Sequence, residues 1–198
     1  GMVPLASLNP MQLIKPLAEK YPALQFSLLS MTSEQIIDGV SRNQLDLGIC
    51  YLQHLDERLF KIARLPQTRM GLLHDKRHFD FSAGTPGWDT LAALPLGFLT
   101  KGMYYRESIE ISFKAKGLTP TSVFESDSTF QIIQAVQAGI CCAIMPLNNG
   151  LEALSDNLEI LPIAETHVDS QLALIMRQQE PVSSLAEKCF AEAQGIFG

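Results

Sequence analysis

The sequence predicts an α/β fold with largely parallel strand pairing. Three observations predict it: helix-period and strand-period segments alternate, polar start signals precede the apolar stripes, and several short apolar runs carry no charge. Residues 126–146, SDSTFQIIQAVQAGICCAIMP, contain all three. Ser128 and Gln131 have the spacing of a capping box, in which two side chains satisfy backbone N–H groups at a helix start. Ile132, Ile133 and Val136 mark one helical face, and Gly139 suits the left-handed position that ends a helix. Residues 140–145 then read as a strand covered on both faces.

Taken in order, Asn9-Pro10 supplies an N-cap and a first helical residue. Leu13, Ile14, Leu17 and Tyr21 follow at helical spacing, with Pro16 marking a kink or a late start. Tyr21-Pro22 stops this helix. LQFSLLS (24–30) alternates and reads as a strand, and Thr32 with Gln35 forms a second capping box before Ile36, Ile37 and Val40. LDLGIC (45–50) is the next strand. RMGLLHD (69–75) is another, followed by a polar stretch with Gly and Pro through Trp88. LPLGFL (94–99) is a strand, and residues 104–116 form a helix with Ile109 and Phe113 inward, closed by Gly117. TSVFES (121–126), LEILPI (158–163) and QLALIMR (171–177) are strands. The last helix is capped by Ser184 with Glu187, and Val182, Leu185, Ala186, Cys189, Phe190, Ala193, Ile196 and Phe197 make its stripe.

Residues 65–68 and 164–168 read as extended connectors, which divides the chain into two lobes. Residues 2–66 and 166–198 form the first, and residues 67–165 the second.

With 46% hydrophobic and 18% charged residues among 198, the composition is that of an ordinary globular protein. Its net charge of −6 repels phosphate, and no Lys/Arg-rich run offsets it, so these residues are not expected to touch DNA themselves. No apolar run approaches the length a bilayer requires, and no basic-then-apolar leader opens the chain, so a cytoplasmic location is expected. Cys50, Cys141, Cys142 and Cys189 lack metal-ligand spacing and read as reduced structural thiols. Gly1-Met2 reads as an expression scar or a cut inside a longer protein, with Val3-Pro4 the tail of a strand.

LIKPLAEKYPALQFSLLSMTSEQIIDGVSRNQLDLGI is similar to the start of the effector-binding domain of LysR-type transcriptional regulators. FESDSTFQIIQAVQAGICCAIMP resembles a later stretch of the same family, with its Val-x-Ala-Gly turn and a strand ending in proline. The resemblance covers essentially the whole chain. It implies a fold like the type 2 periplasmic binding proteins: two α/β subdomains, two crossover strands, and a cleft for a small molecule. It also implies a homodimer, paired into a tetramer in some members, and an amino-terminal winged helix-turn-helix, which these residues do not contain. The family's first strand begins upstream of Val3, so part of that strand is expected to be absent.

Where strands end and helices begin, unpaired N–H groups and the positive end of the helix dipole favour anions. Three such starts occur, near Ser7–Asn9, at Thr32, and at Ser128–Thr129. Each hydroxyl is expected either to cap its helix or to donate to a carboxylate. In LTKGMYYRE (99–107), Gly102 permits an unusual turn, while Met103, Tyr104 and Tyr105 would sit at the rim of the second lobe, where the resemblance places effector contacts. Tyr51 would close the side of the first lobe, and Lys101 or Arg106 would supply a cation or simply be solvated. The expected ligand-binding set is therefore Leu5, Ser7, Thr32, Tyr51, Thr100, Gly102, Met103, Tyr104, Tyr105, Ser128 and Thr129. The expected ligand is a small organic anion with an aromatic or hydrophobic body, and no cofactor or metal is expected.

An enzyme is the weaker expectation. His54, His74, His78 and His167 are scattered, nothing orients a Cys50–His54 dyad, and residues 74–78 read as a solvated charged turn. ESDSTF is faintly similar to the Thr-Arg-Phe signature of prephenate dehydratases, which share the general fold, but the arginine is replaced. A solute-binding protein of a transporter is the other alternative.

Overall fold

A computed structural model describes residues 1–3, 10–53, 55–67, 69–147, 150–164 and 171–197, with the side chains of Glu152 and Phe197 excepted. The chain forms two compact units, Gly1–Gln67 with Ser170–Gly198 and Thr68–Asp169.

Unit 1 is built on β1 (Gly48–Tyr51), β2 (Phe60–Arg64) and β8 (Leu172–Arg177), in the order β1-β8-β2 and antiparallel throughout. Met2 bridges in parallel to Ile49 and to Ser30, extending the sheet beyond β1. Helix α2 (Ser33–Ser41) lays Ile36 and Val40 on this sheet, both fully buried. Gly48 lets it approach: a Cβ there would stand 2.3 Å from Ile36 Cγ2. Helices α1 (Met11–Lys20) and α6 (Ser184–Phe197) are joined by the Lys20–Glu192 ion pair, and Lys61 of β2 reaches Glu187 of α6 at 3.0 Å.

Unit 2 contains β3 (Met70–Asp75), β4 (Leu96–Leu99), β5 (Ser122–Ser126), β6 (Cys142–Pro146) and β7 (Leu158–Pro162), in the order β5-β4-β6-β3-β7. Its helices are α3 (Trp88–Ala93), α4 (Tyr104–Ala115) and α5 (Thr129–Gln137). Every residue of β3 and β6 is buried, as strands covered on both faces should be; β6 carries no charge, while β3 ends in His74 and Asp75. Phe113 of α4, Ile132 and Val136 of α5 and Phe98 of β4 complete this core.

Pairing is mixed rather than largely parallel. The strands of the β4–α4–β5–α5–β6 run pair in parallel, β4 with β5 and β4 with β6. By contrast, β3 pairs antiparallel with β6 and β7, and β8 runs antiparallel to β1 and β2. Long-range returns of this kind leave no periodic mark in the sequence.

Several elements differ from the sequence reading. Residues 24–30 do not form a strand: Ser30 alone bridges to Met2, and Phe26, Leu28 and Leu29 are 41%, 48% and 47% exposed. Alternation there signals a face, but among the described residues the strand-like backbone partner is Met2, through Met2 N–H to Leu29 C=O and Met31 N–H to Met2 C=O. Strand β2 and helix α3 were hidden, the first behind Lys61 and Arg64, charges that suit an exposed edge strand. Helix α1 runs through Pro16 instead of starting after it, and Asn9 lies outside the described residues. The cap of α6 is Ser183, one residue earlier than expected, whose Oγ accepts from Leu185 N–H at 3.2 Å and Ala186 N–H at 3.5 Å.

Helix α5 ends as its sequence predicts. Gly139 sits at φ 72°, its N–H bonds to Val136 C=O, and Ile140 N–H bonds to Ala135 C=O, the paired closure of a Schellman turn.

Candidate functional site

Strands β4 and β5 are parallel, with Leu99 opposite Ser126, so both deliver the chain into a helix from the same end. Thr100 N–H donates to Ser126 C=O at 3.1 Å, which ties the two strand ends together. Lys101 and Gly102 then form an exposed turn, with Gly102 at φ 88°, a conformation that L side chains resist. Met103 is extended and precedes α4, whose first helical bond runs from Glu107 N–H to Met103 C=O. Met103 and Tyr104 are half-buried, whereas Tyr105 is 3% exposed and not a rim residue.

Arg106 is neither a free cation nor a solvated one. It is 5% exposed, with Nε donating to Glu110 at 2.7 Å, Nη1 to Leu99 C=O at 3.2 Å and Nη2 to Glu125 at 3.3 Å. Its guanidinium also stacks over Phe98 at 4.0 Å. Two carboxylates thus balance its charge, and Lys101 is the exposed cation of this turn.

At the start of α5, Ser128 Oγ accepts from Gln131 N–H at 3.4 Å, as a cap should. The reciprocal half of the expected box is rerouted. Gln131 Oε1 accepts from Ser126 Oγ at 2.7 Å, and Ser126 Oγ in turn accepts from Ser128 N–H at 3.0 Å. Ile132 N–H to Ser128 C=O is the first helical bond, so Phe130 N–H has no acceptor within the helix. Thr129 is half-buried beside it.

In unit 1, the capping box at Thr32 is complete: Thr32 Oγ1 accepts from Gln35 N–H at 3.3 Å, and Gln35 Oε1 accepts from Thr32 N–H at 3.0 Å. Ser33 Oγ accepts from Tyr51 N–H at 3.2 Å, which holds the end of β1 against the start of α2. Tyr51 is 4% exposed. Thr32 and Tyr51 are therefore brought together in unit 1, and Thr100, the turn 102–105 and Ser128–Thr129 in unit 2. Leu5 and Ser7 lie outside the described residues. Capping uses the hydroxyl oxygen as acceptor, so Thr32 and Ser128 each keep a proton to donate outward, and the two roles are compatible rather than exclusive. Sequence reasoning missed Ser33 and Ser126; the adjacent hydroxyls in TS (32–33) and SDS (126–128) were the available signal.

Other groups show structural chemistry. His74 and Asp75 are 1% and 0% exposed, so the charged turn is solvated only at residues 76–78. His74 Nε2 stands 3.2 Å from Glu159 Oε2 on the neighbouring strand, with Phe81 edge-on at 4.8 Å. Asp75 binds Arg77 through both oxygens, at 3.0 and 2.8 Å, and Arg77 Nη2 reaches Gln137 C=O at 3.1 Å, at the negative end of the α5 dipole. The Arg77 guanidinium holds the Asp75 carboxyl below its ordinary range, against the opposing effect of burial. Burial pushes the thiols of Cys50 and Cys142 up to about 12 and that of Cys141 to about 11, so none is a nucleophile at neutral pH. His54 and His167 lie outside the described residues, and among the described residues no cluster of three metal-ligating side chains occurs. An apolar cavity of about 330 Å³ within unit 1 is walled by Leu13, Leu17, Phe26, Leu45 and Leu185, and among the described residues it includes none of the expected site residues. No helix is long and apolar enough to cross a membrane, among the described residues.

Solved structures of the same fold include the regulatory domain of CcmR from Synechocystis PCC6803 in complex with 2-PG. It is 17% identical, with a TM-score of 0.80 over 99% of this chain and 94% of that one. The effector binding domain of QuiR in complex with shikimate is 16% identical, with a TM-score of 0.78 over 99% and 93%. HinK, a LysR family transcriptional regulator from Pseudomonas aeruginosa, is 19% identical, with a TM-score of 0.76 over 100% and 69%. The fold is thus the type 2 periplasmic-binding-protein-like architecture of LysR regulators. The family model for the LysR substrate binding domain matches residues 1–196, and the chain belongs to that family, the effector-binding domains of a class of transcriptional regulators.

Proposed function

We propose that this domain senses a small carboxylate or similar anion, held by hydroxyl and amide donors at strand ends and helix starts, and so sets the DNA binding of a regulator whose winged helix-turn-helix lies outside these residues. The observation that carries this reading is the end-on register of β4 and β5, which presents Thr100 and the Ser128 cap at one sheet end. The complete cap at Thr32, beside Ser33 and Tyr51, is a donor set of the same kind within unit 1. Hydroxyl protons, the Phe130 amide and the exposed Lys101 suit one modest negative charge. Two similar domains carry 2-PG and shikimate, both small and oxygen-rich, which supports the same class here.

The mechanism is a population shift: an anion with higher affinity for one arrangement of the domain favours that arrangement. Its coupling to DNA is expected to be about 1–3 kcal/mol, passed through a homodimer. The test is a thermal-shift screen of hydroxylated monocarboxylates, dicarboxylates, aromatic acids and phosphate esters. A ligand at about one hundred times its Kd adds roughly 2.7 kcal/mol to the folded state. No shift from any of these classes would contradict the proposal.

A further inference from the structure

We propose that Arg106 is a positioning residue for the turn 100–105, fixing the effector-contacting segment before any ligand arrives; the inference rests on the ligand reading above. A long side chain near a helix start points back over the preceding turn, and here that turn is the candidate site. The guanidinium spends its donors on three separate elements: Glu110 one turn along α4, Leu99 C=O at the end of β4, and Glu125 on β5. Phe98 covers its face. The chain between Leu99 and α4 is therefore bridged at its base by one planar group. A further tether is the Thr100 N–H to Ser126 C=O bond.

A four-residue connection containing a positive-φ glycine has conformational freedom to lose when a ligand orders it. Bridging its ends removes that freedom in advance, which raises affinity without a new contact to the ligand. An ammonium cannot reproduce the arrangement, because its donors radiate from one point and it has no flat face to stack.

The test compares wild type with Arg106→Lys, Glu125→Gln and a control, Phe113→Leu, which loosens α4 on its buried side, where Phe113 meets Trp88 edge-on. Amide hydrogen exchange of residues 100–105 should accelerate about tenfold or more in Arg106→Lys, and less in Glu125→Gln, while the amides of β3 stay within about twofold. The control should accelerate the body of α4, residues 107–115, rather than residues 100–105. Exchange in the turn equal to that of wild type or of the control overturns the proposal. With shikimate as probe, Arg106→Lys should weaken calorimetric affinity about tenfold while the control changes it little. Equal affinity in the two variants also overturns it. Failure of wild type to bind any acid in the screen counts against the effector reading, and the exchange result still decides the role of Arg106.

Discussion

Ser126 Oγ donates to Gln131 Oε1 at 2.7 Å and receives the Ser128 N–H at 3.0 Å, so one buried hydroxyl stands between the two halves of a capping box. Ser126→Ala is expected to cost about 1–2 kcal/mol, since it removes a donor and an acceptor from partly buried partners. Ser128→Ala loses a longer cap bond and is expected to cost about 1 kcal/mol. Urea denaturation followed by circular dichroism gives both values. A smaller cost for Ser126→Ala than for Ser128→Ala would contradict the rerouted cap.

Gly139 and Gly117 are both at φ 72°, yet their surroundings differ. A Cβ on Gly117 meets nothing within 4 Å, whereas one on Gly139 would stand 2.6 Å from the His78 ring. Alanine at 117 should cost about 1–2 kcal/mol from backbone strain alone. Alanine at 139 should cost more, and His78→Ala should recover part of the excess in a double-mutant cycle. Equal costs at the two glycines, with strict additivity at 139, would show that His78 does not close on this turn.

The depressed Asp75 carboxyl makes a signed statement about acid stability. Its folded value lies below the ordinary 3.8, because Arg77 hydrogen-bonds the charged form. The stabilisation is therefore present above the unfolded value and lost as pH falls through the folded one. Asp75→Asn should lower the urea midpoint at pH near neutrality, with the difference from wild type closing in strongly acidic solution. A difference that is the same at all pH values would place the effect in packing instead of charge.

The helices were legible where a start signal, a stripe and a stop coincide. At Thr32 and Ser128 the spacing of hydroxyl and amide names the N–H to be satisfied, and both caps form. Spacing does not say which hydroxyl lies nearest, so Ser126 was invisible until β5 placed it beside Gln131. Residues 24–30 were over-read because alternation reports two faces and says nothing of a backbone partner. Arg106 shows the same gap: in sequence it is one charge among polar neighbours, while its partners Phe98 and Glu125 come from two other strands. The antiparallel returns of β3 and β8 belong to the same class of long-range information.

Calorimetric titration of the best acid from the screen into wild type, Thr32→Ala and Ser128→Ala tests the central claim most directly. Each hydroxyl proton should matter to binding, so each variant should lose about tenfold or more in affinity while remaining folded at the titration temperature. Affinity unchanged in both variants would show that these helix starts serve as caps alone.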